Sequence, residues 1–223
     1  MRVLCACEES QAVTIEFRKL GHEAYSCDVI ECSGGHPEWH IIQDVLPLLN
    51  GNCTFKTCDG VEHQIVGKWD MIIGFPPCTY LTNAGAVRMR VKGEIVPERY
   101  AKMQEGRHFF MAIYNADCDR IAVENPTPMK ICELPPYQQA IQPYQFGHPY
   151  SKRTCLWLKN LSPLVPTEIV DQYEPYVNGG NLDAHGNYRQ FKGRNERDAK
   201  TRAKTFTGIA KAMATQWGGE CVE

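Results

Sequence analysis

Six short apolar runs punctuate the chain: "RVLCAC", "EAYSCDVI", "HIIQDV", "WDMIIGF", "RIAVENP" and "TCLWLKN". Each is bounded by polar or helix-breaking residues and is too short for a packed helix, so each reads as a core strand. Between the first two lies "SQAVTIEFRKLGHE", which puts Val13, Phe17 and Leu20 on one helical face and closes at Gly21. Between the fourth and fifth lies "PERYAKMQEGRHFFMAIYNADC", opened by Pro97, with Met103, Phe110, Ile113 and Tyr114 as its buried stripe. Strand–helix–strand alternation of this kind narrows the fold to the α/β class: an open, mostly parallel, Rossmann-like sheet flanked by helices. The Asp59-Gly60 pair inside "NCTFKTCDGVEHQIV" adds a β-hairpin beside that sheet.

A chain of 223 residues suits one sizeable domain, and 43% hydrophobic residues supply an ample core. The formal charge of −2 predicts no general affinity for nucleic acid, so any such binding must come from local patches. No apolar segment approaches the roughly 20 residues that span a bilayer. "MRVLCACEES" lacks the apolar core of a signal peptide, so a cytoplasmic protein is expected, with no membrane partner. Eleven cysteines is a high, odd count. In a reducing compartment most are small buried hydrophobes. Cys27, Cys32, His36, His40, Cys53 and Cys58 are close enough in sequence to suggest zinc, but both cysteine pairs are spaced by four residues and no CxxC occurs. Independent thiols and no metal are the expectation.

The strand pattern assigns residues 1–162 to a core. From Pro163 the apolar periodicity fades, and 163–200 reads as a short irregular insert. Residues 201–223 carry a last helix, "TFTGIAKAMATQW", that packs back on the core. From Tyr188 to Lys204 there are seven Lys or Arg against two acids, either a solvated face or a nucleic-acid contact.

In open α/β sheets, ligands sit beyond the carboxyl ends of the strands. Glu8, Glu9 and Ser10 follow the first strand, Asp28 the second and Asp44 the third; Pro77 and Cys78 follow the fourth, Glu124 and Asn125 the fifth. Asp28 lies twenty positions after Glu8, about the offset at which an acid grips a nucleotide ribose. The first loop, "CACEESQ", has no glycine, and its two carboxylates would repel a pyrophosphate. A cofactor with a cationic or zwitterionic tail fits better, such as S-adenosylmethionine with its ammonium and sulfonium. Glu8 and Glu9 could equally cap the following helix, and Asp28 and Asp44 could be ordinary strand-end caps.

In these motifs the sequence resembles the DNA cytosine-5 methyltransferase family, in a compact form similar to proteins of bacteriophages and prophages. "GFPPCTYLTNAG" is similar to that family's Pro-Cys loop, "VENP" to its Glu-Asn motif, "FGHPYSKRTCLWL" to its basic segment and "KTFTGIAKAMATQWG" to its closing helix. The order matches from Val3 to Gly218. The resemblance implies a transferase that methylates carbon 5 of cytosine in DNA, with S-adenosylmethionine as cofactor, in a bacterial or phage-infected cell. Cys78 would add to carbon 6 of a flipped cytosine. Glu124 would bind ring N3 and the exocyclic amine, Asn125 would hold the loop, and Arg153 would meet the base carbonyl or its phosphate. Backbone near Ala6 and Glu8 would hold the methionine moiety, Asp28 the ribose and Asp44 the adenine amine, with Phe75 and Pro76 lining the pocket. Arg88, Arg90 and Lys92 suit a lid that closes on phosphates, and Arg189, Lys192 and Arg194 a second basic contact.

The chain departs from the family pattern in three places. "CACEES" replaces the glycine-rich first motif, "ENP" stands where a valine is usual, and only some 40 residues separate the sixth strand from the closing helix. The insert is therefore short for a target-recognition domain, and a partner could supply recognition. Rival readings are a catalytically silent nucleic-acid or nucleotide-binding module, a zinc-stapled binding domain, and the same chemistry on RNA or a free nucleotide.

Overall fold

Apolar runs buried on both faces need two covering layers, and the chain supplies both. The computed structural model describes residues 1–177 and 198–219. Seven strands form one sheet: β1 (Arg2–Ala6), β2 (Glu23–Asp28), β3 (His40–Ile42), β4 (Met71–Gly74), β5 (Ile121–Asn125), β6 (Gln139–Ile141) and β7 (Thr154–Lys159). Their order is β6-β7-β5-β4-β1-β2-β3. Strands β1 to β5 run parallel, and β7 is antiparallel to both β5 and β6. The expected open, mostly parallel Rossmann-like sheet is present, with one strand more than the six apolar runs indicate. Strand β6 has three residues, two of them half-exposed, and follows Pro135 and Pro136, so it carries no apolar run to betray it.

Alternation along β1 sends Val3 and Cys5 to one face and Leu4 and Ala6 to the other. The first face is covered by Val13 and Phe17 of helix α1 (Ala12–Lys19) and by Ile209, Met213 and Trp217 of the closing helix (Thr207–Gly218). The second is covered by Met103, Phe110 and Ile113 of helix α2 (Pro97–Tyr114). Each large side chain buried in this way contributes roughly 1.5–3 kcal/mol. Helix α1 stops where expected, with Gly21 in the left-handed conformation at φ 74°. The hairpin expected at Asp59-Gly60 pairs Cys53–Lys56 with Glu62–Ile65 and packs Phe55 against Tyr25 and Trp69.

The closing helix, labelled α4 because a short α3 (Ala199–Ala203) precedes it, is rich in small residues for a steric reason. Its first turn lies on the backbone of Phe146, so that a Cβ at Gly208 would overlap the Phe146 carbonyl oxygen. The Gly208 amide instead donates to Nε2 of His148 at 3.0 Å. No helix among the described residues is long and apolar enough to cross a membrane.

Candidate active site

From β1 the chain builds the sheet outward through β2 and β3, then returns to the other side of β1 as β4 and β5. The carboxyl ends of β1 and β4 therefore form the topological switch point, where the diverging loops leave a crevice for a ligand. Ala6 is opposite Gly74 there, and the Phe75 amide carries the pairing one bond further, donating to the Ala6 carbonyl at 2.9 Å.

The β1 loop lacks glycine yet turns sharply, because Cys7 and Gln11 both take left-handed conformations, with φ of 61° and 59°. Such conformations cost roughly 1 kcal/mol or more each in an L-residue and concentrate at functional rims. The fold-back brings the Glu8 carboxylate under the start of α1. Its oxygens accept from Val13 N at 2.6 Å, Thr14 N at 3.2 Å and Thr14 Oγ1 at 2.7 Å. Glu8 is 3% exposed, and burial pushes its carboxyl up to about 7 against those hydrogen bonds. Its side chain is committed to the helix; what remains toward the crevice is backbone. Gln11 is fully buried and exchanges hydrogen bonds with the backbone of His36, while its amide also reaches Ser26 Oγ at 3.3 Å. Ser26 in turn contacts His40, whose other ring nitrogen meets the Ile30 carbonyl. This buried network pins the loop after β2.

Asp28 and Asp44 close the same rim. Each spends one carboxylate oxygen on a nearby amide, Val29 N at 2.7 Å and Leu46 N at 3.1 Å. Both raise the Cys7 and Cys27 thiols electrostatically, after burial, with Cys27 pushed up to about 12.

On the other side of the switch point, Pro76 is buried and Pro77 exposed. Asn125, fully buried at the end of β5, donates from Nδ2 to the Pro76 carbonyl at 3.2 Å and fixes the turn. Cys78 follows, half-buried, its carbonyl accepting from Leu81 N at 3.0 Å and Thr82 N at 2.9 Å. Leu81 is buried beneath it, tied to Met129 N and Cys132 Sγ. The thiol is raised first by burial and then by the Glu124 carboxylate, with Lys152 and Arg202 opposing. Glu124 is itself raised by burial, opposed by Lys152 and by a hydrogen bond from Thr154. Cys78, Glu124 and Lys152 thus share one electrostatic neighbourhood.

Two basic residues stand just before β7. Glu124 lies opposite Leu156 and Asn125 opposite Cys155, so Thr154 shares the Glu124 face, and Lys152 stands two residues ahead of the strand. Arg153 points the other way: its Nη2 donates to Tyr137 OH at 2.9 Å and its guanidinium lies 5.8 Å from that ring. Lys152, whose charge opposes the upward shift of both Cys78 and Glu124, is a second cation beside the expected Arg153.

Phe75 is half-buried and lines the switch point with the start of the Cys78 turn. Arg88 ends the turn Asn83–Arg88, and Arg90 and Lys92 belong to a small hairpin, Arg90–Val91 with Glu94–Ile95; all three are exposed. Lys92 at φ 50° and Gly93 at φ 87° close that hairpin as a two-residue turn. Arg189, Lys192 and Arg194 lie outside the described residues. His40, considered above as a zinc ligand, has both ring nitrogens engaged, and no group of three His, Cys, Asp or Glu among the described residues could hold a metal ion.

No family model matches the chain, and no curated protein matches it. Among solved structures, the chain is similar to an E. coli protein encoded within a prophage and provisionally described as a DNA modification methyltransferase. The identity is 13% and the TM-score 0.44, over 76% of this chain and 52% of that one, so the chain spans about half that protein's length.

Proposed function

We propose that this protein methylates carbon 5 of cytosine in DNA by covalent catalysis through Cys78. The observation that carries the reading is that Cys78 follows β4 while Glu124 and Asn125 end the neighbouring β5, with Asn125 Nδ2 holding the Pro76 carbonyl two residues before Cys78. The switch-point rim suits S-adenosylmethionine by its donor set. Asp28 and Asp44 form no ion pair among the described residues and offer acceptors to hydroxyl or amine groups, while a phosphate would be repelled. Asp28 would take the ribose hydroxyls, Asp44 the adenine amine, the backbone of Ala6 and Glu8 the methionine end, and Phe75 and Pro76 the flank. When bound, that cofactor supplies an electrophilic methyl group.

The residues of the chain account for the rest. Cytosine carbon 5 is a poor nucleophile until a thiolate adds at carbon 6. Cys78 Sγ forms that bond, its proton leaving to solvent, and the ring electrons move toward carbon 5 and N3. Glu124, whose burial favours the protonated carboxyl, gives its proton to N3 and accepts from the exocyclic amine, a pattern that uracil cannot match. Lys152 offsets negative charge at the base carbonyl. After the methyl group is in place, water removes the carbon-5 proton, the Sγ–carbon-6 bond breaks, and Glu124 recovers its proton. The insert at 163–200 is short for sequence reading, so loose specificity or a partner's help follows from this proposal.

The test is incubation with tritiated S-adenosylmethionine and, in separate arms, duplex DNA, RNA or dCMP, followed by nucleoside analysis. Label in 5-methyldeoxycytidine from the duplex is expected. Label only in RNA or dCMP would move the substrate class, and label nowhere, with the cofactor bound, would favour a silent binding module.

A further inference from the structure

The segment Asp198–Phe206 crosses the rim of the site just before α4. Its α3 begins at Asp198, whose carboxylate accepts from Thr201 N at 2.6 Å, and ends in Arg202 and Lys204. Two contacts fasten it to opposite parts of the molecule. Lys152 Nζ donates to the Arg202 carbonyl at 2.7 Å, and Lys204 Nζ donates to Ser33 Oγ, in the loop after β2, at 3.0 Å. An aromatic cluster holds its far end: Phe206 contacts Tyr150, Tyr176 and His148, and Lys152 Nζ lies 5.8 Å from the Phe206 ring. Lys152, Arg202 and Lys204 therefore form one ridge, and none of them makes an ion pair among the described residues. Arg202 and Lys204 are exposed. Lys152 stands just before β7, whose Cys155 lies opposite Asn125 at the carboxyl end of β5, and Ser33 N donates to the Glu9 carbonyl of the β1 loop at 2.8 Å, so the segment lies along the rim that holds the site.

Cations brought together without carboxylate partners repel one another and persist where an anion is to be received. We propose that Arg202 and Lys204 bind backbone phosphates of the polynucleotide whose base reaches Cys78. The inference rests on the cytosine reading above and adds to it a phosphate-binding ridge on the C-terminal segment. Arg suits the task because its planar fork meets two phosphate oxygens at once.

The experiment measures binding of the full chain to a fluorescent cytosine-containing duplex by anisotropy across a salt series. Each phosphate contact contributes about 0.9 to the slope of log affinity against log salt, which is roughly eightfold in affinity at ~0.1 M salt. Arg202→Gln is expected to lose about that slope and affinity, Arg202→Lys to keep most of the slope, and Lys204→Gln to lose a similar increment. Thermal melting accompanies each variant, so that a loss of binding is read only from a variant that melts like the wild type, and the two substitutions are made separately so that a folding failure in one leaves the other readable. Unchanged slope and affinity in both Gln variants, with adduct formation at Cys78 intact, would overturn the ridge and leave the cytosine reading standing. If the wild-type chain does not bind the duplex, both fall.

Discussion

Glu8 offers a quantitative test of how the β1 loop is built. Its carboxyl is buried under the first turn of α1 and is pushed from the ordinary 4.5 up to about 7. A carboxyl raised in the folded state stabilises the fold while it holds its proton, so the contribution is complete below about pH 4.5 and is lost as pH rises through about 7. At 1.36 kcal/mol for each unit, the loss amounts to about 3 kcal/mol, most of it between pH 5 and 7. Glu8→Gln removes the titration while keeping one acceptor for Val13 N; its amide hydrogens then oppose the Thr14 donors, at about 1–2 kcal/mol. Urea unfolding of both proteins between pH 5 and 8 isolates the effect, because every other group titrates alike in the two. The wild type should be the more stable at pH 5, and the difference should shift toward the variant by about 2–3 kcal/mol by pH 8. A difference that does not change with pH would refute the buried-carboxyl account of this loop.

Three further outcomes are expected. Lys152→Ala should reduce methyl transfer at least tenfold, while Arg153→Ala, which loses its contacts with Tyr137 and Cys155, should stay within about threefold; steady-state kinetics of the pair settle which cation serves the site. Catalysis needs Cys78 to lose a proton and Glu124 to keep one, so kcat/KM should rise with pH on the acid side and fall on the alkaline side. In Glu124→Gln the alkaline fall should vanish, with transfer lowered by about 10²–10⁴. Gly208→Ala should destabilise the fold by about 1–3 kcal/mol in urea unfolding, because the added methyl group meets the Phe146 carbonyl, while Gly106→Ala in α2 meets only the Leu81 side chain at ordinary contact distance.

The sequence patterns that survive intact are local ones. Runs such as "WDMIIGF" announce their strands because burial on both faces demands unbroken apolar character, and Gly21 ends α1 through its own backbone freedom. Strand β6 announces nothing, since three residues after two prolines hold no periodicity. Cys78 and Glu124 are legible as strand-end residues, but the choice between Lys152 and Arg153 depends on the register of β7 against β5, which pairs residues about 30 positions apart. The fate of Glu8 is hidden for a similar reason. Its carboxylate turns back to Val13 and Thr14 only because Cys7 and Gln11 adopt conformations that their side chains do not advertise. Arg202 belongs to a basic run that reads equally as solvated surface; its contact with Lys152 is a tertiary fact. Among the other thiols, Cys5, Cys27, Cys118, Cys132 and Cys155 are buried, as small hydrophobes should be.

The most direct test of the central claim is a covalent trap. Duplex DNA carrying 5-fluorocytosine blocks removal of the carbon-5 substituent after methyl transfer, so an enzyme that attacks carbon 6 through sulfur stays attached. With S-adenosylmethionine present, the account predicts an adduct stable to denaturation that maps by mass spectrometry to Cys78 and is absent in Cys78→Ser. An adduct at another cysteine, or methyl transfer undiminished in Cys78→Ser, would contradict it.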